Sequence, residues 1–256
     1  MSGWKKILAS AGRWAVDLLF PPTCAVCGAD RQAGEPVLCG HCRSAFPHWT
    51  GRACRICGTP LPDGGARCWA CRHGRRAFGF CRSAGLYEGR LRQAILLLKY
   101  GGRDVLARPL GACLAETFRA RPELKSVQLV VPVPLHFLKR HARGFNQAEL
   151  LARFFAAESG LPLETRALAR RRWTRAQAGL GREKRRANME NAFTVPRPDA
   201  VRGRRILLID DVCTTGATLE SCARALTQAG ALRVHALTLA RDAETHPDLR
   251  GKRNGC

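Results

Sequence analysis

A chain of 256 residues, 46% of them apolar, can bury a core of ordinary size. That excludes wholesale disorder and leaves room for one domain of roughly 150–200 residues plus a smaller appendage. With 43 Lys and Arg against 20 acids, the formal charge of +23 disfavours cationic partners and favours polyanions, nucleic acid first.

Residues 1–22 open the chain with an apolar stretch interrupted by Arg13 and Asp17 and followed by no small-residue cleavage site, so a signal peptide is not expected. Trp4, Ile7, Leu8, Ala11, Ala15 and Leu18 recur at helical spacing, and Pro21 and Pro22 end the pattern. This amphipathic helix either docks onto the rest of the protein or lies on a membrane surface. No run approaches the roughly 20 apolar residues of a transmembrane helix, and the expected location is cytoplasmic.

Residues 23–76 hold four CxxC pairs: Cys24 and Cys27, Cys39 and Cys42, Cys54 and Cys57, Cys68 and Cys71. Without a secretion signal, such thiols are expected reduced and metal-bound rather than disulfide-bonded. Two residues between cysteines let a tight turn aim both sulfurs at one ion, and a second turn completes a tetrahedron. Gly28, Gly40 and Gly58 suit the chain reversal. The pattern predicts two structural Zn²⁺ sites with no open position for catalysis. Sequential and crossed pairings of the four knuckles both satisfy the spacing, and His41, inside a CxxC, could replace a cysteine. Two such centres would lower the effective charge to roughly +19, so the basic excess remains. Cys81, Cys113, Cys222 and Cys256 fit no pattern and read as ordinary thiols.

Residues 77–256 change character to apolar runs alternating with helical periodicity. Residues 89–100 and 104–120 read as helices, and residues from 126 to Pro132 and Pro134 as a strand. RGFNQAELLARFFAAESG reads as an amphipathic helix with Leu150, Leu151, Phe154 and Phe155 on one side and Gly160 as its stop. RRILLID reads as a buried strand, TLESCARALTQAG as a helix closed by Gly230, and RVHALTLAR as another strand. Strand, helix, strand in this order predicts an α/β fold, a parallel sheet flanked by helices.

Ligands in such sheets sit beyond the carboxyl ends of the strands. There the chain places Asp210 and Asp211, then Thr214, Thr215, Gly216, Ala217 and Thr218 at the entry to a helix. Backbone N–H groups at a helix start, with three hydroxyls, form a cradle for one phosphate. The GxxxxGK[ST] pattern of the Walker loop is absent. Two carboxylates beside a phosphate need another object, and a ribose cis-diol or Mg²⁺ answers that need. Cys213, between acids and cradle, reads as incidental.

The stretch ILLIDDVCTTGATL resembles the phosphoribosyl-pyrophosphate (PRPP) motif of type I phosphoribosyltransferases. With PVPLHFLKRHARGFNQAELLA, LARRRWTRAQAGLGREKRRANMENAF and the paired CxxC repeats, nearly the whole chain resembles the ComF family. The resemblance implies a double zinc ribbon ahead of a phosphoribosyltransferase fold, and an association with DNA uptake in natural transformation or with use of imported DNA. It implies Asp210 and Asp211 on the ribose hydroxyls, directly or through Mg²⁺, and residues 214–218 on the 5′-phosphate. Pro134, Leu135 and His136 resemble the pyrophosphate loop. Residues 170–190 resemble the mobile loop that covers PRPP, in which Thr174, Gln177, Arg185 and Asn188 match the family spacing. Arg143, Asn146 and Gln147 belong to its RGFNQ, and Lys99 is a further cleft candidate.

Several purine-specific relatives carry a carboxylate where this chain has Thr214, which argues against 6-oxopurine salvage and leaves the acceptor open. Few residues follow the last strand, so residues 77–105 or the ribbons are expected to close the acceptor side. Residues 160–205 hold 13 Lys and Arg against 4 acids. The alternative reading is therefore a non-catalytic protein that binds single-stranded DNA, with a regulatory PRPP site and Trp49, Trp69 and Trp173 as stacking candidates. A third is a scaffold that docks a competence helicase or another uptake protein.

Overall fold

The computed structural model describes residues 23–31, 37–46, 51–135, 143–170 and 192–243. The segment 1–22, His136, the loop residues Thr174, Gln177, Arg185 and Asn188, and Trp49 and Trp173 lie outside the described residues. Four parallel strands form the main sheet: β1 (Cys81–Leu86), β2 (Leu129–Pro132), β5 (Arg205–Cys213) and β6 (Arg233–Arg241), in the spatial order β1-β6-β5-β2. The central strands β5 and β6 are almost continuously buried, with the apolar runs Ile206–Ile209 and Ala236–Ala240, broken only by Thr238, as parallel strands covered on both faces require. Two short strands, β3 (Ala169–Arg170) and β4 (Phe193–Thr194), pair antiparallel at one side.

On one face, Leu207, Ile209, Leu237 and Leu239 meet α3 (Gly89–Tyr100), α4 (Ala107–Arg119) and α5 (Gln147–Ser159). On the other, Ile206, Leu208, Val234 and Ala236 meet Leu219, Cys222 and Leu226 of α7 (Ala217–Gln228), with Val201 of the short α6 (Pro198–Val201) and Phe193 of β4. Leu151 and Phe155 are fully buried, while Leu150 and Phe154 pack partly buried against the same core, so the apolar side read from the α5 periodicity faces the sheet. Gly160 ends α5 in the left-handed conformation, φ +71°, where a glycine costs least.

Two expectations shift, and one strand was not foreseen. The strand expected from residue 126 begins only at Leu129, because Pro122–Leu124 forms a 3-10 turn and Gln128 serves to close the edge, its N–H bonding Arg205 O. The helix expected over 104–120 is a 3-10 turn, Asp104–Leu106, leading into α4. Strand β1 had no sequence signal: CRSAGL is an edge strand whose Arg82 and Ser83 face partly outward, so it lacks the apolar run of a central strand.

The helices α4 and α5 cross closely at Gly111. A Cβ there would lie 2.6 Å from Phe154 Cβ and 3.2 Å from Leu151 O. Gly111→Ala is therefore expected to cost about 1–3 kcal/mol through overpacking. Helix propensity alone would predict a small gain. An unchanged or raised urea midpoint would contradict the close-packing account.

The cysteine-rich segment does not sit apart. Cys24, Val26, Leu38, Cys42 and Phe46 belong to the core of the α3–α4–α5 face, whereas Cys54, Cys57, Leu61, Cys68 and Cys71 belong to the α7 face. The first half is tied down by the Arg43–Glu116 ion pair and by Gln93 Nε2 donating to Val26 O at 2.9 Å. In the second half, Ile56 O accepts from Cys81 N at 2.7 Å, extending β1 at its outer edge. Among the described residues no helix is long and apolar enough to cross a membrane.

Candidate functional site

Strand β5 carries the acid pair out of the core at the carboxyl edge of the sheet. Asp210 is half-buried and Asp211 buried, 5% exposed. Asp210 Oδ1 accepts from the N–H of Asp211 at 2.9 Å. One oxygen of Asp211 lies 2.8 Å from Nζ of Lys99, at the last turn of α3, and its other oxygen is buried without a hydrogen-bond partner. Burial first, and the neighbouring Asp211 charge second, push the Asp210 carboxyl well above the usual carboxylate range, with Lys99 acting against them. Two acids, one cation and one orphaned oxygen make a site short of positive charge. A hard divalent cation or a diol fits that donor set.

Immediately after β5 the chain turns at Thr214 and Thr215, both exposed, and Gly216 caps α7 with φ +81°. Ala217 N donates to Thr215 Oγ1 at 3.3 Å. Gly216 also faces Cys213 Sγ and the Phe78 ring, each 3.8 Å from where a Cβ would stand. The left-handed φ and this packing explain glycine here. Twelve residues of α7 follow, so its free N–H groups and dipole point at the same edge.

Pro134 and Leu135 leave the adjacent strand β2 at this edge, where Val133 N still bonds Ile209 O at 2.9 Å. The RGFNQ residues divide their duties. Asn146 Nδ2 donates to Val133 O at 3.1 Å and its Oδ1 accepts from Ala148 N, so this side chain pins the 133–135 turn and caps α5. Gln147 is buried with Oε1 unpartnered. Arg143 stacks over Tyr100, 4.6 Å from the ring centroid, and donates to its hydroxyl at 2.9 Å. Sequence reading missed Tyr100, beside Lys99, whose 70% exposure is the highest of any large apolar side chain among the described residues. It also missed Cys213, which is buried against Arg241; an arginine closing a strand that carries Ala236, Leu237, Leu239 and Ala240 just before it was the available signal.

The eight knuckle cysteines gather sequentially into two groups, Cys24, Cys27, Cys39, Cys42 and Cys54, Cys57, Cys68, Cys71, with all four sulfurs of each within 4.8 Å of one another. A tetrahedron with Zn–S bonds of about 2.3 Å has S···S edges of about 3.8 Å. The observed edges include 3.9 Å for Cys24–Cys42, 3.8 Å for Cys27–Cys39 and 3.5 Å for Cys57–Cys68. The two halves repeat each other: Gly28 and Gly58 turn at φ +74° and +70°, each N–H bonding a cysteine carbonyl at 2.9 Å. Short helices α1 (Gly40–Ser44) and α2 (Trp69–His73) follow Cys39 and Cys68. Each group fits one structural zinc. The crossed pairing is not the arrangement seen, and His41 is exposed outside both groups.

Comparison with known proteins finds matches to both the cysteine-rich segment and the sheet. The model of the double zinc ribbon domain matches residues 15–72, and that of the phosphoribosyl transferase domain matches residues 143–253. The chain is 30% identical over 227 residues to DNA utilization protein YhgH of Escherichia coli strain K12, spanning 88% of this chain and 99% of that protein. It is 28% identical over 226 residues to Competence protein F of Haemophilus influenzae, covering 85% and 96% of the two chains. Competence protein ComFC of Bacillus subtilis is 30% identical over 215 residues, covering 81% and 85%. Identity at this level along nearly the full length of both chains, through ribbon and sheet alike, goes beyond a shared domain: the chain belongs to the ComF family.

Proposed function

We propose that this chain binds PRPP with Mg²⁺ at the carboxyl edge of the sheet and transfers its phosphoribosyl group to a nitrogen acceptor, in the uptake or use of DNA, its relatives being named for competence and for DNA utilization. One observation carries the reading. At the end of the central strand, an acid pair with an unpartnered buried oxygen stands directly before a glycine-capped helix start. Asp210 and Asp211 would take the ribose 2′- and 3′-hydroxyls, directly or through Mg²⁺. Residues 214–218 take the 5′-phosphate. The family resemblance assigns the pyrophosphate to Pro134, Leu135 and His136, and a loop that covers PRPP to Thr174, Gln177, Arg185 and Asn188. Lys99 pairs with Asp211 until the cation or the diol arrives.

The C1–O bond to pyrophosphate breaks and a C1–N bond forms, through a transition state with oxocarbenium character. Held by Asp210 and Asp211, a bound Mg²⁺ would supply charge neutralisation for the leaving group. The protein's part is to fix the ribose and to keep water from being the nucleophile. Thr214 cannot take the acceptor's proton near neutral pH, so the acceptor is one that ionises readily or loses its proton to the departing pyrophosphate. Calorimetric titration of the full chain with PRPP in the presence and absence of Mg²⁺ tests the binding step. Uptake without saturation, or none, sinks it.

A second reading extends the first. The charge of +23 and the exposed Tyr100–Arg143 pair favour single-stranded DNA as a partner, whether as the source of the acceptor or as a cargo. Oligonucleotide affinity is then expected to fall with salt at a logarithmic slope of about −0.7 per phosphate contacted. Affinity flat between low and physiological salt would remove this partner.

A further inference from the structure

Arg241 closes strand β6 and is 1% exposed, among the largest fully buried side chains described. A buried guanidinium stays charged and needs an anion. Among the described residues no carboxylate pairs with it. Its Nη1 donates to Cys213 Sγ at 2.6 Å and its Nη2 to Thr59 Oγ1 at 2.6 Å, while Nε finds no partner. Thr59, fully buried, lies 3.1 Å from Cys57 Sγ. Its oxygen accepts from Arg241, so its own O–H donates to that sulfur. Burial acts against the Arg241 charge, yet the sulfurs of Cys213, Cys57, Cys81 and Cys68 hold its pKa above the ordinary value. The Cys213 thiol is in turn lowered to about 7, chiefly by a hydrogen bond from Cys81 and, against burial, by the Arg241 cation.

The chain of contacts thus runs Cys57, Thr59, Arg241, Cys213. It starts at the second cysteine cluster and ends one residue before the phosphate-holding turn. Asp242 N also bonds Cys213 O at 3.0 Å, fixing the same point from the backbone. Four thiolates on one divalent ion carry a net charge near −2, and only the bound ion keeps all four deprotonated. That anionic centre supplies much of what Arg241 lacks.

We infer that Arg241 is a positioning residue which uses the second thiolate cluster, through Thr59, as its counter-ion and thereby holds Cys213 and residues 214–218 in the geometry that receives the 5′-phosphate. The inference rests on the PRPP reading for its consequence but not for its structure. It makes the ribbon a working part of the sugar-phosphate site and gives Cys213 a duty that its place in the motif did not suggest.

The test uses Thr59→Val and Thr59→Ser in the full-length protein. Valine keeps the shape and removes the oxygen; serine keeps the oxygen. Zinc per chain, Mg-PRPP affinity and amide hydrogen exchange over residues 212–218 are measured on the same samples. Thr59→Val is expected to weaken Mg-PRPP binding about tenfold, the value of one buried charge-assisted hydrogen bond. Exchange should quicken within 212–218, and Thr59→Ser should restore both. A Val variant with unchanged affinity and exchange overturns the inference, as does loss of the second ion with residues 212–218 unchanged. If the unsubstituted protein takes up no Mg-PRPP, the PRPP reading fails, and exchange alone decides the positioning.

Discussion

Asp210→Asn is expected to weaken Mg-PRPP binding by roughly tenfold to a hundredfold, since a hydrogen bond to a charged group contributes about 1.5–3 kcal/mol. The same substitution should raise the melting temperature of the ligand-free protein. The two signs follow from one cause. Burial and the Asp211 charge raise the Asp210 pKa in the folded chain above its unfolded value. A group raised in this way gives stability that is complete below the unfolded pKa, near 3.9, and is lost as pH rises through the folded one. At neutral pH, where the unfolded carboxyl is ionised, the raised Asp210 pKa therefore opposes folding, and a neutral amide relieves it. The stability gain should shrink as pH falls toward 4, where the native carboxyl is already protonated.

Asp211→Asn makes the contrast. It also weakens binding, but it leaves Lys99, 15% exposed, facing an uncharged group, so its melting temperature should fall. Differential scanning fluorimetry and calorimetric titration of the two variants separate these outcomes. If Asp210→Asn lowers the melting temperature and binds Mg-PRPP undiminished, the acid pair is a structural feature and not a ligand site. Residues placed for a ligand are often stabilised only when it is present, and the unpartnered Asp211 oxygen points the same way.

Most of this site was legible because its chemistry is local. An apolar run ending in two acids, followed by a Thr-Gly turn and a helical pattern, needs no distant contact to be recognised, and β5, the turn and α7 stand where the pattern put them. The sequential grouping of the knuckles was one of two readings, since spacing alone says which cysteines form a turn and not which turns meet. What escaped was non-local. Strand β1 exists because β6 offers it an edge and Ile56 pairs with its other side, not because CRSAGL favours extended backbone. Asn146 looked like a cleft residue, but its amide is spent on Val133 and on capping α5. Arg241 and Thr59 stand 182 positions apart, beyond any motif.

Removing zinc is expected to reach well past the ribbons. The segment from 23 to 76 has too few apolar residues for a core of its own, and those it has are lent to the sheet: Val26, Leu38 and Phe46 on one face, Leu61 on the other. Binding of a structural zinc by small peptides releases about 10–16 kcal/mol, comparable to the roughly 5–15 kcal/mol that separates a whole folded domain from its unfolded chain. Two ions per chain are expected by elemental analysis. Chelation should first free the thiols for alkylation and then lower the urea midpoint of the remaining sheet signal, because both faces lose part of their cover. The opposite expectation holds if the ribbons are an appendage: the chelated protein would keep the sheet's midpoint while losing only the signal of residues 23–76. The two halves should also differ from each other. Loss of the first cluster uncovers α3 and α4, whereas loss of the second also strands the Arg241 charge beside the turn at residues 214–218. Stability should therefore respond to either ion, and Mg-PRPP binding more to the second than to the first.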